Sequence, residues 1–462
     1  MALLLRHHET STDLSQVNLS VGMETPFALP LAQEELLRQR TMKKVGSRLI
    51  PFMIAMFCAN FLDRVNISFA ALQMNHDLHL TPKIYGFAAG ILFVAYTGLE
   101  VPSNLILQRV GARVWLSRIM ITWGLVAAAN ALIFDKNSLY IIRLLLGAAE
   151  AGFFPGIMLY LVRWFPAKER AAAITIFMIG NPIAIIFGAP ISTTLLSLGN
   201  MFGIASWRWL FLLEGLPSVA LGVIAIWWLT DRPEEAKWLE PEERSWLASI
   251  LKSEAEGRTR TSPGSVGKVF LHGPTLAFAA SKFCVLLAFY GIALWLPQIV
   301  KSIGHLTTFQ TGFVTSIPYI CAAVGSILVG RSSDRTGERP KHIAYPAFIG
   351  ALGFVLAAYS GNPYLGMAGL CIAATGIWCS NTIFWTMPAA TLSGASAAAG
   401  FALINSVGNL GGFFGPSITG WAREATGNYA MTLLLLGVFL ALSGVIVLLI
   451  GRSDRAKTAQ AA

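Results

Sequence analysis

Asp63-Arg64 and the pair Arg143 and Glu150 put two cations and two anions inside stretches that are otherwise apolar. Ionisable groups in a bilayer are costly, usually pair with one another and by default carry function. Arg143 and Glu150 are seven residues apart, about two helical turns, so they share a face. Asp63 and Arg64 diverge by roughly 100° on a helix, and Asn60 shares the Arg64 face at i+4. With all four groups ionised the cluster is neutral. A carboxylate joining it would leave net negative charge in a low dielectric, which is expensive. A proton on Asp63 or Glu150 removes that cost and frees an arginine, so anion and proton would favour each other's binding. Arginine suits a carboxylate because its planar fork is bidentate and stays charged. The same four residues could instead be a structural salt bridge between the first and fourth spans.

The elements that must hold these groups are membrane helices. The chain is 55% hydrophobic and 13% charged, against about 25% charged in soluble domains. Runs long enough to span, roughly 20 apolar residues, recur throughout. We expect an all-α membrane protein with twelve spans at about 49–71, 84–107, 114–134, 138–160, 171–195, 208–230, 275–298, 310–330, 342–360, 364–388, 398–421 and 429–450. The one long connection, 231–273, is a charged linker that divides them into two six-helix halves, 46–230 and 274–450. Residues 1–45 are expected to be a disordered cytoplasmic tail without a signal peptide, and 451–462 a second cytoplasmic tail. With the N-terminus inside, 26 of the 34 Lys and Arg residues face the cytoplasm and 5 the other side. That asymmetry fits the positive-inside rule and accounts for the net charge of +10 without a nucleic-acid face. The five cysteines, Cys58, Cys284, Cys321, Cys371 and Cys379, lie in apolar runs without a CxxC. They are expected to be small core residues, and no metal site is expected.

The halves repeat. Asn104-Leu-Ile-Leu-Gln108-Arg109-Val-Gly111-Ala-Arg113 follows the second span and Gly330-Arg-Ser-Ser-Asp334-Arg335-Thr-Gly337-Glu-Arg339 the eighth. Arg109, Gly111 and Arg113 match Arg335, Gly337 and Arg339 at one offset. This loop resembles the signature of the major facilitator superfamily. The resemblance implies a cytoplasmic gating loop, with Arg109, Arg113, Asp334, Arg335 and Arg339 making bonds in only one conformational state. The first copy is degenerate, with Asn104 for Gly and Gln108 for Asp. Plain topology signals are the other reading of these arginines.

A narrower resemblance rests on Phe61-Leu-Asp63-Arg64-Val-Asn66-Ile-Ser68, Glu100-Val-Pro-Ser-Asn104, Arg143 through Glu150 to Pro155-Gly156, Trp164-Phe-Pro-x-x-Glu169-Arg170, Trp209-Leu-Phe-x-x-Glu214-Gly and Trp295-Leu-Pro-Gln298. From about 45 to 450 the chain is similar to the anion:cation symporter family, nearest the branch that takes up tartrate, phthalate and hydroxyphenylacetate. The resemblance implies that Arg64 contacts the substrate carboxylate, Asp63 and Glu150 carry protons, and Arg143 helps to control Glu150. It places Tyr96, Thr382, Trp385 and Asn405 at the substrate. Asn405 and Asn409, four apart, face one way and would equally suit helix–helix hydrogen bonding.

Lys282 departs from the sugar-acid relatives, which carry a neutral polar residue there. It would either snorkel to the cytoplasmic surface or supply a third cation for the second carboxylate of a dicarboxylate. Glu100 and Glu214 also fall within spans; Glu214 is near Arg208 and could pair with it. The expected function is a secondary transporter importing a small organic carboxylate by proton symport, with protons as coupling ion and no other cofactor. It would be a monomer in the inner or plasma membrane with both termini cytoplasmic. An exchanger or exporter of the same fold and a non-transporting membrane sensor are the alternatives. No enzyme motif stands in a convincing context.

Overall fold

Several helix starts are written directly in the chain. Thr81-Pro82, Asp135 with Ser138, Thr307 with Gln310, and Asn362-Pro363 each supply a side-chain N-cap, satisfying donors that a helix start leaves orphaned. Asp135 with Ser138 and Thr307 with Gln310 form full capping boxes. All four caps lie at the end of the bundle away from the chain termini, where the connections are short.

The computed structural model describes residues 31–259, 272–392 and 395–461. They form helices α1 (Leu31–Asp77), α2 (Pro82–Val110), α3 (Ala112–Ala129), α4 (Lys136–Glu150 and Phe153–Trp164), α5 (Ala167–Met178 and Gly180–Ser197) and α6 (Ser206–Trp228). The second half contains α7 (Gly273–Ala293, then a short helix Leu296–Gly304), α8 (Thr308–Thr336), α9 (Arg339–Tyr359), α10 (Pro363–Phe384 and Thr386–Thr391), α11 (Ala395–Thr426) and α12 (Ala430–Ala461). Among the described residues eleven helices are long and apolar enough to cross a membrane. The remaining one of the expected twelve is α11, Ala395–Thr426.

Residues 31–45, expected as disordered tail, are instead the first turns of α1; residues 1–30 lie outside the described residues. Side-chain pairs fix this extension. Arg38 bonds Glu169 at 2.6 Å, and Lys44 bonds Glu243 at 2.7 Å. Within the linker, Pro241–Thr259 is helical and docks on the N-half: Arg170 pairs with Glu254 at 2.8 Å and Trp238 stacks on Trp164 at 5.4 Å. Residues 260–271 lie outside the described residues.

Across the halves α2 lies along α11 and α5 along α8. The first contact needs glycine: a Cβ on Gly90 would come within 2.5 Å of the Phe413 carbonyl oxygen. Several of the bonds between the halves lie toward the end away from the termini. Tyr85 Oη donates to Leu294 O at 2.6 Å, the Lys83 N–H to Glu424 at 2.9 Å and Ser316 Oγ to Ile186 O at 3.0 Å.

α4 breaks directly after Glu150, where Gly152 takes φ +87°. Pro155 explains the position, because a proline ring clashes with the carbonyl four residues earlier, that of Ala151. The freed Ala151 carbonyl accepts from Ser103 Oγ at 2.7 Å, as an interrupted membrane helix requires.

Candidate functional site

Glu150 ends the first segment of α4, 2% exposed, facing α1. Side chains on a helix lean toward its N-terminus, so Arg64 leans back toward Asn60, and the two meet Glu150 together. Arg64 Nη2 pairs with Glu150 Oε1, and Asn60 Nδ2 donates to the same oxygen at 2.5 Å. Arg64 also reaches the C-half, its Nη1 donating to Tyr290 Oη at 3.1 Å. Its guanidinium lies 5.0 Å from the Tyr96 ring centroid and 5.6 Å from that of Phe93, within cation–π range. Tyr96 thus lines this site through its ring. Tyr290 was not among the sequence candidates, although its signal was present: it lies 226 residues from Arg64, the offset that relates Arg109 to Arg335.

Three pairings the sequence left open are not made in the structure. Arg143 does not bond Glu150. It is fully buried, and Nε, Nη1 and Nη2 lack hydrogen-bond partners among the described residues. The lean toward the helix N-terminus carries Arg143 away from Glu150, and Arg64 takes the carboxylate. Asp63 points away from Arg64 into the N-half, where Oδ2 accepts from Trp123 Nε1 at 2.8 Å and Ser218 Oγ at 2.5 Å. Glu214 does not meet Arg208 either. Its Oε1 accepts from Ser192 Oγ at 2.6 Å, whereas Arg208 bonds the Ala131 carbonyl.

A second polar layer lies nearer the termini. Lys282 precedes Tyr290 by eight residues on α7, about 12 Å of helix. It does not snorkel to the surface: it is 4% exposed. Its Nζ donates to Asn381 Oδ1 at 2.7 Å and lies 4.8 Å from the Trp385 ring centroid and 4.9 Å from that of Phe384. Asn405 Nδ2 donates to Glu100 Oε1 at 2.8 Å and Asn409 Nδ2 to Oε2 at 3.5 Å, joining α11 to α2. Both amides therefore have a partner in this conformation, and Glu100 acquires one that the sequence did not indicate. Thr382 is exposed and bonds the Trp378 carbonyl of its own helix at 2.8 Å.

Among the described residues the repeated loops bond within their own halves. Arg339 pairs with Asp334 at 2.7 Å and donates to Ser333 Oγ at 2.9 Å. In the first copy Asp231, after α6, fills the role left open by Gln108: it accepts from the Arg113 N–H at 2.8 Å, and Arg113 Nε reaches the Ile226 carbonyl. An acid beside the N-terminus of α3 also favours the helix dipole. Gly111, at φ +98°, makes room, since a Cβ there would sit 2.9 Å from the Asp231 carboxylate. Arg109 and Arg335 are exposed.

Comparison with known proteins agrees with this architecture. Residues 52–416 match the Major Facilitator Superfamily. A protein of Agrobacterium vitis named "Putative tartrate transporter" is 44% identical over 418 residues, 90% of this chain and 93% of its own length. One of Acinetobacter baumannii named "Quinolone resistance transporter" is 38% identical over 90% of this chain and 96% of its own. A bacterial homologue of the human lysosomal transporter Spinster, in an inward-facing and occupied conformation, superposes with a TM-score of 0.73 at 17% identity, covering 88% of this chain and 97% of its own. This chain is a multi-pass membrane transporter and belongs to the major facilitator superfamily.

Proposed function

We propose that the protein imports a small organic carboxylate together with protons by alternating access. One observation carries this reading: Arg64, between the halves, is held by Glu150 of the N-half and Tyr290 of the C-half. A substrate carboxylate must compete with Glu150 for that guanidinium. Protonation of Glu150 removes the competitor and compensates the incoming charge, so proton and substrate assist each other. Tyr96, Trp385, Asn405 and Thr382 would complete the substrate wall, Asp63 would hold a second proton, and Asn409 would act with Asn405. Arg143 and the loop residues Arg109, Arg113, Asp334, Arg335 and Arg339 would serve the conformational cycle. No cofactor beyond the proton is required.

Within this reading the chain is a monomer in the inner or plasma membrane with both termini cytoplasmic. The bonds gathered at the opposite end would then close it to the outside. Lys282, the second cation at the interface, favours a dicarboxylate, in keeping with the tartrate-named relative. Lys282 lies about 12 Å along α7 from Tyr290, the partner of Arg64, so a short dicarboxylate requires both long side chains to lean together as the halves close.

Export is the second reading, supported by the relative named for quinolone resistance. Thermal-shift titration of the purified protein tests the proposal, using tartrate, phthalate and acetate at mildly acid and mildly alkaline pH. Carboxylates that stabilise the protein more strongly at acid pH support symport, because a ligand stabilises by its affinity for the native state. Stabilisation by a quinolone and by none of the acids would favour export.

A further inference from the structure

Proton transfer through Glu150 and Asp63 leaves one fully enclosed acid without a task. Glu214, on α6, is 4% exposed; its Oε1 accepts from Ser192 on α5, and its Oε2 has no hydrogen-bond partner among the described residues. Asp63, on α1, is 2% exposed; its Oδ2 accepts from Trp123 of α3 and Ser218 of α6, and its Oδ1 has no hydrogen-bond partner among the described residues. Asn66, one turn after Asp63, is 1% exposed and lies against the Glu214 carboxylate, although its Nδ2 completes no hydrogen bond among the described residues. Each of the three buried side chains thus keeps one polar atom without a partner among the described residues.

The charges around them have one sign. Asp63 is the charged group acting on Glu214, and Glu150 the one acting on Asp63. Among the described residues neither acid bonds a Lys, Arg or His. Arg208, on the same helix as Glu214, is turned to the Ala131 carbonyl and the Trp207 ring. Arg64 is taken by Glu150. A pair of buried acids without a cation is a poor stabilising device, since each ionised carboxylate would be uncompensated in a low dielectric. Chains of acids of this kind in membrane proteins carry protons.

Depth gives the chain a direction. Glu214 is eight residues into α6 from Ser206, roughly 12 Å from the end away from the termini. Asp63 is fourteen residues before Asp77, and Glu150 fourteen after Lys136, so both lie roughly 21 Å from that end. Ser192 is nearer the end than Glu214, five residues before Ser197.

We propose that Glu214 is a relay residue that takes a proton on the outer side of the N-half and passes it to Asp63 through a water held by Asn66. In each transfer one O–H bond breaks as another forms; the proton leaves Glu214 Oε2 and arrives on Asp63 Oδ1. The route runs inside the N-half, separate from Arg64 at the interface between the halves. It rests on the proton symport proposed above.

The test reconstitutes Glu214→Gln, Glu214→Asp and wild-type protein in liposomes. Two quantities are read: tartrate counterflow at equal pH, which needs no net proton movement, and tartrate accumulation driven by an acid exterior. Glu214→Gln is expected to keep counterflow within about twofold and to lose accumulation by about tenfold or more, the scale of losing a positioned proton carrier. Glu214→Asp should recover part of the accumulation. Unchanged accumulation in Glu214→Gln overturns the relay, as does a parallel fall in counterflow and accumulation. If Glu214→Gln fails to fold, Ser192→Ala replaces it; it should slow acid-driven accumulation while sparing counterflow, and wild-type accumulation overturns the proposal. Should wild-type protein move tartrate without protons, the symport reading fails and takes the relay with it. A wild type that is coupled alongside a fully coupled Glu214→Gln sinks the relay alone.

Discussion

The two halves share a fold and divide the chemistry. In the N-half, Asp63, Glu150, Glu214 and Arg143 are buried and Arg64 is partly so, whereas the matching C-half layer offers Tyr290 where the N-half has Arg64. The C-half contributes one buried cation, Lys282, set against an amide and two aromatic rings. Duplicated helices can hold their packing while one copy loses its charges, since helix packing depends on small residues and close approach more than on ion pairs. Among the described residues of the spans, the buried acids lie in the N-half, facing the neutral side chains and Lys282 of the C-half.

The largest effect should come from breaking the N-half pair. Arg64→Ala leaves Glu150 buried with only Asn60, and removing one partner of a buried pair costs about 3–5 kcal/mol. Tartrate uptake should fall to background and the melting temperature should drop; Arg64→Lys should restore little, lacking the bidentate fork. Near-normal uptake by Arg64→Ala would place the substrate elsewhere.

Lys282→Gln sharpens the contrast from the other side. Losing a charged hydrogen-bond donor worth about 1.5–3 kcal/mol should weaken tartrate uptake by tenfold or more, with monocarboxylate uptake spared. Equal loss for both acids would make Lys282 structural, and intact tartrate uptake would remove it from the site. Tyr290→Phe should act more mildly, a few-fold on half-saturation for uptake at about 1 kcal/mol, because Arg64 keeps Glu150. Ser103→Ala should be smallest: interhelical hydrogen bonds in membranes average about 0.6 kcal/mol, so a small drop in thermal stability is expected with coupling intact.

How much of this was legible depended on whether one helix or several decided the matter. Apolar runs and the repeated loop marked the helices and the two halves, because those signals are local. Asn60 and Arg64 on one face were legible for the same reason. Arg143 and Glu150 also share a face, yet the lean of side chains toward the helix N-terminus separates them, and no local signal showed that Arg64 of another helix would take Glu150. Lys282 had two readings until α10 and α11 were placed around it. Glu214 was visible as an acid in a span, but its neighbours Ser192, Asn66 and Asp63 come from two other helices. Only Tyr290 could have been found earlier, from the repeat offset.

The central claim is that Glu150 exchanges Arg64 for a proton as substrate binds. Glu150→Gln tests it most directly in proteoliposomes, with tartrate accumulation under an imposed acid exterior measured beside counterflow at equal pH. The account predicts that accumulation above equilibrium disappears while counterflow persists and loses its dependence on pH. Accumulation at the wild-type level in Glu150→Gln would contradict it.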